Sequence, residues 1–282
     1  MISPTILFRI IMKLFLSFSK IFVLSLLLFS ISFAQTDEEK SRATEVWDPI
    51  PPIIRAGENN SAPSDAVILL GENDLSEWQH DDGSPIKWKF CEGVLTVEKK
   101  TGQIKTKKKF GSCQLHIEWR TPLFTEEQAK INNNDKILLQ EQFKGYVIGE
   151  GQGRGNSGVF LQERYEVQVL DSYDNLTYSN GQAGSIYKQH IPLVNVCKPP
   201  GEWQTYDIIF NAPKFNEDGT LEIPGYVTIL QNGVLIQNHV EIKGPTAWIG
   251  KPNYEKHNPK ESITIQDHGN PVSYRNIWIR EL

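Results

Sequence analysis

The chain has 282 residues, 39% hydrophobic, 22% charged and 10% aromatic, with a formal net charge of −5. That composition excludes wholesale disorder, a collagen repeat and a multi-span membrane protein. The one Lys-dense stretch holds Lys105, Lys107, Lys108 and Lys109, too little for a nucleic-acid footprint, so no nucleic-acid partner is expected.

Residues 1–34 read as a secretory signal peptide. Arg9, Lys13 and Lys20 precede an apolar run over residues 21–33, and Ser32 and Ala34 supply small residues at a cleavage point. The run is short for a membrane span of ~20 residues. Export to the periplasm or beyond follows, with no stable membrane insertion after cleavage. Residues 35–64 are polar, contain Pro49, Pro51, Pro52 and Pro63, and lack periodicity, as expected of a flexible arm.

From Val67 onward short apolar runs alternate with turn signals, which predicts an all-β domain over residues 65–282. The predicted strands are 88–90, 94–97, 114–120, 158–162, 165–170, 204–211, 226–231, 234–240 and 263–266. Asn232-Gly233 between two of them is a type I′ hairpin signal. The only stretch with helical character lies within residues 125–143, which is polar and Asn-rich. No internal repeat and no second-domain boundary is found. Cys91, Cys113 and Cys197 are odd in number and match no zinc spacing, leaving one disulfide with a spare thiol or three free thiols. Asn175-Leu176-Thr177 is an N-glycosylation sequon.

Side chains two apart on a strand share a face. In 114–120, Leu115, Ile117 and Trp119 oppose Gln114, His116, Glu118 and Arg120. In 165–170, Val167 and Val169 oppose Glu166 and Gln168, while Ile263 and Ile265 oppose Thr264, Gln266 and His268. A sandwich follows, apolar inside and rich in Glu, Gln, His and Arg outside. An outer face of that kind reads as a polar binding surface, against the plainer reading of a wetted sheet.

Several segments then resemble, in order, the 3-keto-disaccharide hydrolase family. They are Leu70-Gly71-Glu72-Asn73-Asp74-Leu75-Ser76-Glu77-Trp78, Gly155-Asn156-Ser157-Gly158-Val159-Phe160-Leu161 and Tyr165-Glu166-Val167-Gln168-Val169-Leu170-Asp171. Gly184-Ser185-Ile186-Tyr187, Gly201-Glu202-Trp203-Gln204-Thr205-Tyr206-Asp207 and Asn232-Gly233-Val234-Leu235-Ile236 follow. Gln266-Asp267-His268-Gly269-Asn270-Pro271-Val272 and Tyr274-Arg275-Asn276-Ile277-Trp278-Ile279-Arg280 close the series. Gly71-Glu72-Asn73 replaces the family's Asn-Gly-Lys, and residues 124–154 form a longer segment than usual, so a loop over the site is expected to differ.

The resemblance implies a concanavalin-like jelly roll of two curved antiparallel sheets with a carbohydrate site on the concave face. It also implies cleavage of glycosides already oxidised to a ketone at carbon 3. That ketone acidifies the hydrogen on carbon 2, so a base can form an enolate and expel the carbon 1 substituent, and water then adds to the enone. The task needs a base, an acid for the leaving group and an electrophile at the ketone oxygen. No nicotinamide is needed, and no Gly-rich dinucleotide fingerprint is present.

His268 is the first candidate for acid–base work, since imidazole titrates near neutral pH, with ordering of the Gly269-Asn270-Pro271 turn as its structural alternative. Glu166 is the second, as base or acid, against a pairing with Arg275 or Arg120. Glu118 is a third carboxylate expected on the same surface. Asn156 and Gln168 carry amides suited to sugar hydroxyls or the ketone oxygen. Tyr187 and Trp203 could stack on a sugar ring, and Arg275 joins the substrate-binding set. Asp171 is expected to cap structure. No cofactor is required by this chemistry; Asp267, His268 and nearby carboxylates make Ca²⁺ or another divalent ion the candidate metal, although their spacing matches no ligand pattern.

Two other functions stay open on the sequence. A retaining glucanase would use Glu166 and Asp171, five residues apart, but needs two carboxyls ~5–5.5 Å apart on one face. A non-catalytic sugar-binding module would use the same amides and aromatics without needing His268 or Glu166.

Overall fold

The computed structural model describes residues 5–16, 35–132, 136–138 and 141–282. The apolar run over residues 21–33 lies outside the described residues. The chain divides into two compact units, residues 1–53 and 54–282. In the first unit residues 5–16 are helical, and a second helix, α1 (Asp37–Arg42), starts with a reciprocal cap between Thr36 and Glu39. Val46, Trp47, Ile50 and Ile53 beyond it are exposed. Among the described residues no helix is long and apolar enough to cross a membrane.

The second unit holds the strands. They begin with β1 (Val67–Leu70), β2 (Trp78–His80), β3 (Lys89–Cys91), β4 (Val94–Thr96), β5 (Ile104–Thr106) and β6 (Cys113–Arg120). A short helix, α2 (Glu126–Ile131), then precedes β7 (Lys136–Leu138), β8 (Tyr146–Ile148), β9 (Ser157–Leu161) and β10 (Tyr165–Val169). The rest are β11 (Gln204–Asn211), β12 (Lys214–Phe215), β13 (Leu221–Ile223), β14 (Tyr226–Gln231), β15 (Val234–Glu241), β16 (Thr264–Ile265) and β17 (Ser273–Glu281).

Two antiparallel sheets make an all-β sandwich. The larger runs β15-β14-β11-β6-β17-β4-β3, with β1 also paired to β17, and the smaller runs β10-β9-β16-β5-β2. Leu115, Ile117, Trp119, Tyr206, Ile208 and Phe210 of the larger sheet are 0–1% exposed, as are Val159, Leu161, Tyr165, Val167, Val169, Ile263 and Ile265 on the smaller sheet's side. These form one hydrophobic cluster. Removing such area from water is the main favourable term in folding, about 25 cal/mol per Å² of apolar surface. Two core tyrosines also bind the sheets together: Tyr206 Oη donates to Gln168 O at 2.8 Å, and Tyr274 Oη donates to Ser157 Oγ at 2.7 Å. Both acceptors lie on the strands that carry the site described below.

The predicted 204–211 and 226–231 strands coincide with β11 and β14. Asn232 and Gly233 both take positive φ, 52° and 78°, as the β14–β15 hairpin signal requires. The expected helix is α2, opened by a capping box between Thr125 and Gln128. Strand β17 escaped prediction because its register with β6 shifts between Arg275 and Trp278, where Asn276 has φ 45°. A bulge there breaks the period of two. Strands β2 and β5 are only three residues long and show too little alternation to read. All three cysteines are free thiols.

Candidate active site

The site grows from the β9–β10 hairpin. Their register sets Glu166 opposite Phe160 and Gln168 opposite Gly158, and β16 continues the row with Thr264 opposite Phe160. These residues take the outer face of the smaller sheet because Val159, Val167, Val169 and Ile265 fill the inner one. The outer face floors a pocket of about 700 Å³. Of the residues expected at the site, Asn156, Glu166, Gln168, Tyr187 and His268 line it together, although they span more than 100 positions.

Glu166 is 6% exposed, and burial pushes its carboxyl up to about 8. No side chain among the described residues bonds or ion-pairs with that carboxyl; Thr246 Oγ1 accepts only from the Glu166 backbone N. Its room comes from the glycine diagonally across on β9: a Cβ at Gly158 would overlap Glu166 Oε1 and stand 3.0 Å from its Cδ and Cγ. The neighbouring amides are held from below. Gln168 Nε2 points at Asn156 Oδ1 (3.0 Å), Ser157 O (3.3 Å) and Val169 O (3.1 Å), two of them backbone carbonyls that fix the amide's orientation. That leaves Gln168 Oε1 without a donor among the described residues, so Gln168 offers an acceptor to a sugar hydroxyl, not a donor to a ketone. Asn156 is tied further, donating through Nδ2 to Gln152 O at 2.7 Å, and serves to position Gln168.

The donor in the pocket is a tyrosine pair. Tyr187 Oη and Tyr178 Oη lie 2.9 Å apart. Two hydroxyl protons and one mutual hydrogen bond leave one O–H to donate outward. Burial, then the bond to Tyr178, raises the Tyr187 pKa, so its proton stays on. His268 stands exposed at the pocket edge, three residues past β16. Its turn is fixed by neighbours: Asp267 accepts from Gly102 N at 3.1 Å and from Gly269 N at 2.9 Å, and Asn270 Oδ1 accepts from Asn156 N at 2.7 Å. The turn therefore does not need the imidazole. Asp267 acts in these backbone bonds, and among the described residues no group of three or more His, Cys, Asp or Glu is placed to hold a metal ion.

Three expected members of the site lie elsewhere. Glu118 and Arg275 line a different pocket, of about 590 Å³. Their strands, β6 and β17, belong to the larger sheet, and the outer faces of a sandwich point away from each other. Glu118 accepts from Arg275 Nε at 2.6 Å and from Asn276 Nδ2 at 3.0 Å, with His116 Nε2 at 3.8 Å. Burial opposes ionisation of Glu118, but the nearby His116 and the hydrogen bonds from Asn276 and Arg275 prevail and hold it at about 2. Burial likewise opposes charge on His116, yet Asp207 at 2.7 Å and Glu118 raise it to about 9. His116 also stacks on Trp278 at 5.1 Å. This is a saturated ion network. Trp203 lies beside it, with the Arg275 and Arg120 guanidiniums 4.1 and 4.7 Å from its ring.

Asp171 is committed to Arg154 Nε at 2.8 Å in a pair almost wholly shielded from solvent. Glu166 is thus the one carboxylate among the described residues lining the pocket. Sequence reading missed Phe160, Tyr178, Thr246, Trp248 and Gln266, which also line it. Phe160 and Gln266 could have been found from the alternation that singled out Glu166; Trp248 sits in a loop where no periodicity operates. Gln266 Oε1 is buried without a donor among the described residues. From the long 124–154 segment, Gln152 reaches this pocket, while Phe124, Gln128 and Ile148 line a separate cavity of about 420 Å³.

Comparison with known proteins places this architecture. No curated protein matches the chain. A crystal structure of a candidate glycosyl hydrolase from Parabacteroides distasonis is 46% identical, with a TM-score of 0.76 over 88% of this chain and 99% of that one. A second candidate glycosyl hydrolase from the same organism, 19% identical with a TM-score of 0.50 over 88% and 98% of the two chains, shares the fold. The model of the 3-keto-alpha-glucoside-1,2-lyase-like domain matches residues 65–280, which takes in both sheets and every residue of the pocket. The chain belongs to that family.

Proposed function

We propose that the protein is an exported carbohydrate-active enzyme that cleaves 3-keto-glycosides by elimination across carbons 1 and 2, followed by hydration. The observation that carries this reading is Glu166, a carboxyl with a pKa raised to about 8, unpaired, on the floor of a pocket that otherwise offers amide, phenol and imidazole groups. A carboxylate desolvated in this way is a stronger base than one in water, which suits abstraction of a carbon-bound hydrogen.

In the first step Glu166 takes the proton from carbon 2, the carbon 1–carbon 2 double bond forms, and the carbon 1–oxygen bond breaks. His268 gives its proton to the departing oxygen. The Tyr187–Tyr178 pair donates its free O–H to the carbon 3 oxygen as negative charge builds there. In the second step water adds at carbon 1 and gives a proton to His268, while Glu166, its proton exchanged with solvent between the steps, protonates carbon 2. The sum is hydrolysis, with both groups restored. A single carboxylate among the described residues of the pocket does not suit retaining displacement, which uses two.

Cleavage of a 3-keto-glucoside in deuterated water should place deuterium on carbon 2 of the product, while the unoxidised glucoside is left intact. Retention of the carbon 2 hydrogen without a primary isotope effect would sink the elimination. Release from the unoxidised parent would favour a glucanase, and binding without turnover a sugar-binding module.

The export part of the proposal rests on the charged start and apolar run of residues 1–34. The protein recovered outside the cytoplasm is expected to begin at Gln35 by intact mass. Recovery of the full chain inside the cell would overturn it.

A further inference from the structure

We propose that Trp248 is the stacking platform for the leaving group, and that the site selects glycosides whose leaving group presents a flat, apolar ring face. This rests on the reading of Glu166 as the group that attacks the sugar. Trp248 stands in the loop that follows β15, and the residue is 74% exposed while lining the same pocket as Glu166.

Such exposure is not the result of a slack loop. Thr246 N and Oγ1 both donate to Arg164 O, at 3.0 and 2.9 Å, and Thr246 Oγ1 in turn accepts from Glu166 N at 3.1 Å. Gln189 Nε2 donates to Gly244 O at 2.8 Å, and Lys188 Nζ donates to Trp248 O at 2.6 Å. Backbone anchored at both ends thus holds a large apolar ring in water at the pocket mouth. A platform whose backbone is fixed in advance lowers the ordering cost of binding.

Position assigns it to the leaving group. Trp248 lies two residues beyond Thr246, hence no more than ~7 Å of chain from the anchor on the Glu166 strand. Glu166 and Gln168 are nearly buried, so the reacting ring must descend to the floor to bring carbon 2 to the carboxyl. The substituent on carbon 1 then extends toward the mouth, where the indole stands. At about 700 Å³ the pocket falls in the range that encloses a ligand larger than one sugar ring. Aryl groups and pyranoses share the required chemistry, since both offer an apolar face to an aromatic ring.

The test compares wild type and Trp248→Ala on methyl, phenyl and glucosyl 3-keto-glucosides in both anomers, with circular dichroism to confirm the fold. The loss in kcat/KM for the phenyl or the glucosyl substrate should exceed that for the methyl substrate by about tenfold, the size of one aromatic contact. Selective loss on phenyl alone identifies aryl leaving groups, and loss on both identifies ring faces in general. Equal losses on all three, or none, overturn the proposal. Should wild type turn over no keto sugar, the enzymatic reading fails, yet the platform is still decided by NMR titration with unoxidised phenyl and methyl glucosides. There Trp248→Ala should weaken phenyl glucoside selectively, and an equal response to both would reject the platform.

Discussion

Glu166→Gln is expected to lower turnover of a 3-keto-glucoside by roughly 10²–10⁴-fold, the usual size of general acid–base assistance. Exchange at carbon 2 should fall in parallel, because the amide cannot take the proton. In the wild type, kcat/KM should follow a bell in pH, lost at low pH, where burial keeps the Glu166 carboxyl protonated, and lost again at high pH, as the proton donor to the leaving group is lost. The same shift has a consequence for stability. Between the ordinary carboxylate value of 4.5 and about 8, the unfolded chain has lost this proton while the folded chain keeps it. The unfolded state then binds fewer protons, so this group's effect is to reduce stability as pH rises through that window and to level off above it. Glu166→Gln should therefore melt close to wild type at pH 4 and above it at pH 8. A variant that keeps full turnover would move the base elsewhere. Equal melting shifts at both pH values would mean that the carboxyl is not held neutral by burial.

Gly158→Ala should give the second-largest effect, through geometry alone. The added methyl overlaps Glu166 Oε1, which is the free end of a side chain facing a pocket and can swing aside. The backbone at Gly158 is not in the left-handed region, so alanine meets no conformational penalty there. Melting should consequently change by only a few degrees. The base, however, is displaced by something like an ångström from the hydrogen it must take, and misplacements of that size cost about 10²-fold in rate. Full activity in a normally folded Gly158→Ala would show that the Glu166 position seen here is not the reactive one. His268→Ala, at an exposed position, tests the acid separately from either change.

The division between the two sheets decides what was legible in the sequence. Alternation alone identified both polar faces, that of Glu118 on β6 and that of Glu166 on β10, because a strand with one buried face must place successive side chains on opposite sides. It also located β11, β14 and the Asn232-Gly233 turn, all governed by neighbours a few residues away. What period two cannot state is which outer face a residue occupies. Glu118 and Glu166 carry the same local pattern, yet β6 pairs with β11 and β17 while β10 pairs with β9. Strand pairing is set by contacts across long stretches of chain, and it alone separates the ion network of Glu118 from the unpaired carboxyl of Glu166. The same holds for Trp248, whose place at the pocket mouth depends on hydrogen bonds to Arg164 and Lys188 of other segments, and for Arg275 and Trp203, which the larger sheet carries away from the pocket. The sequence by itself determined the β architecture and the chemical character of its outer faces; which of those residues meet was decided only when the sandwich closed.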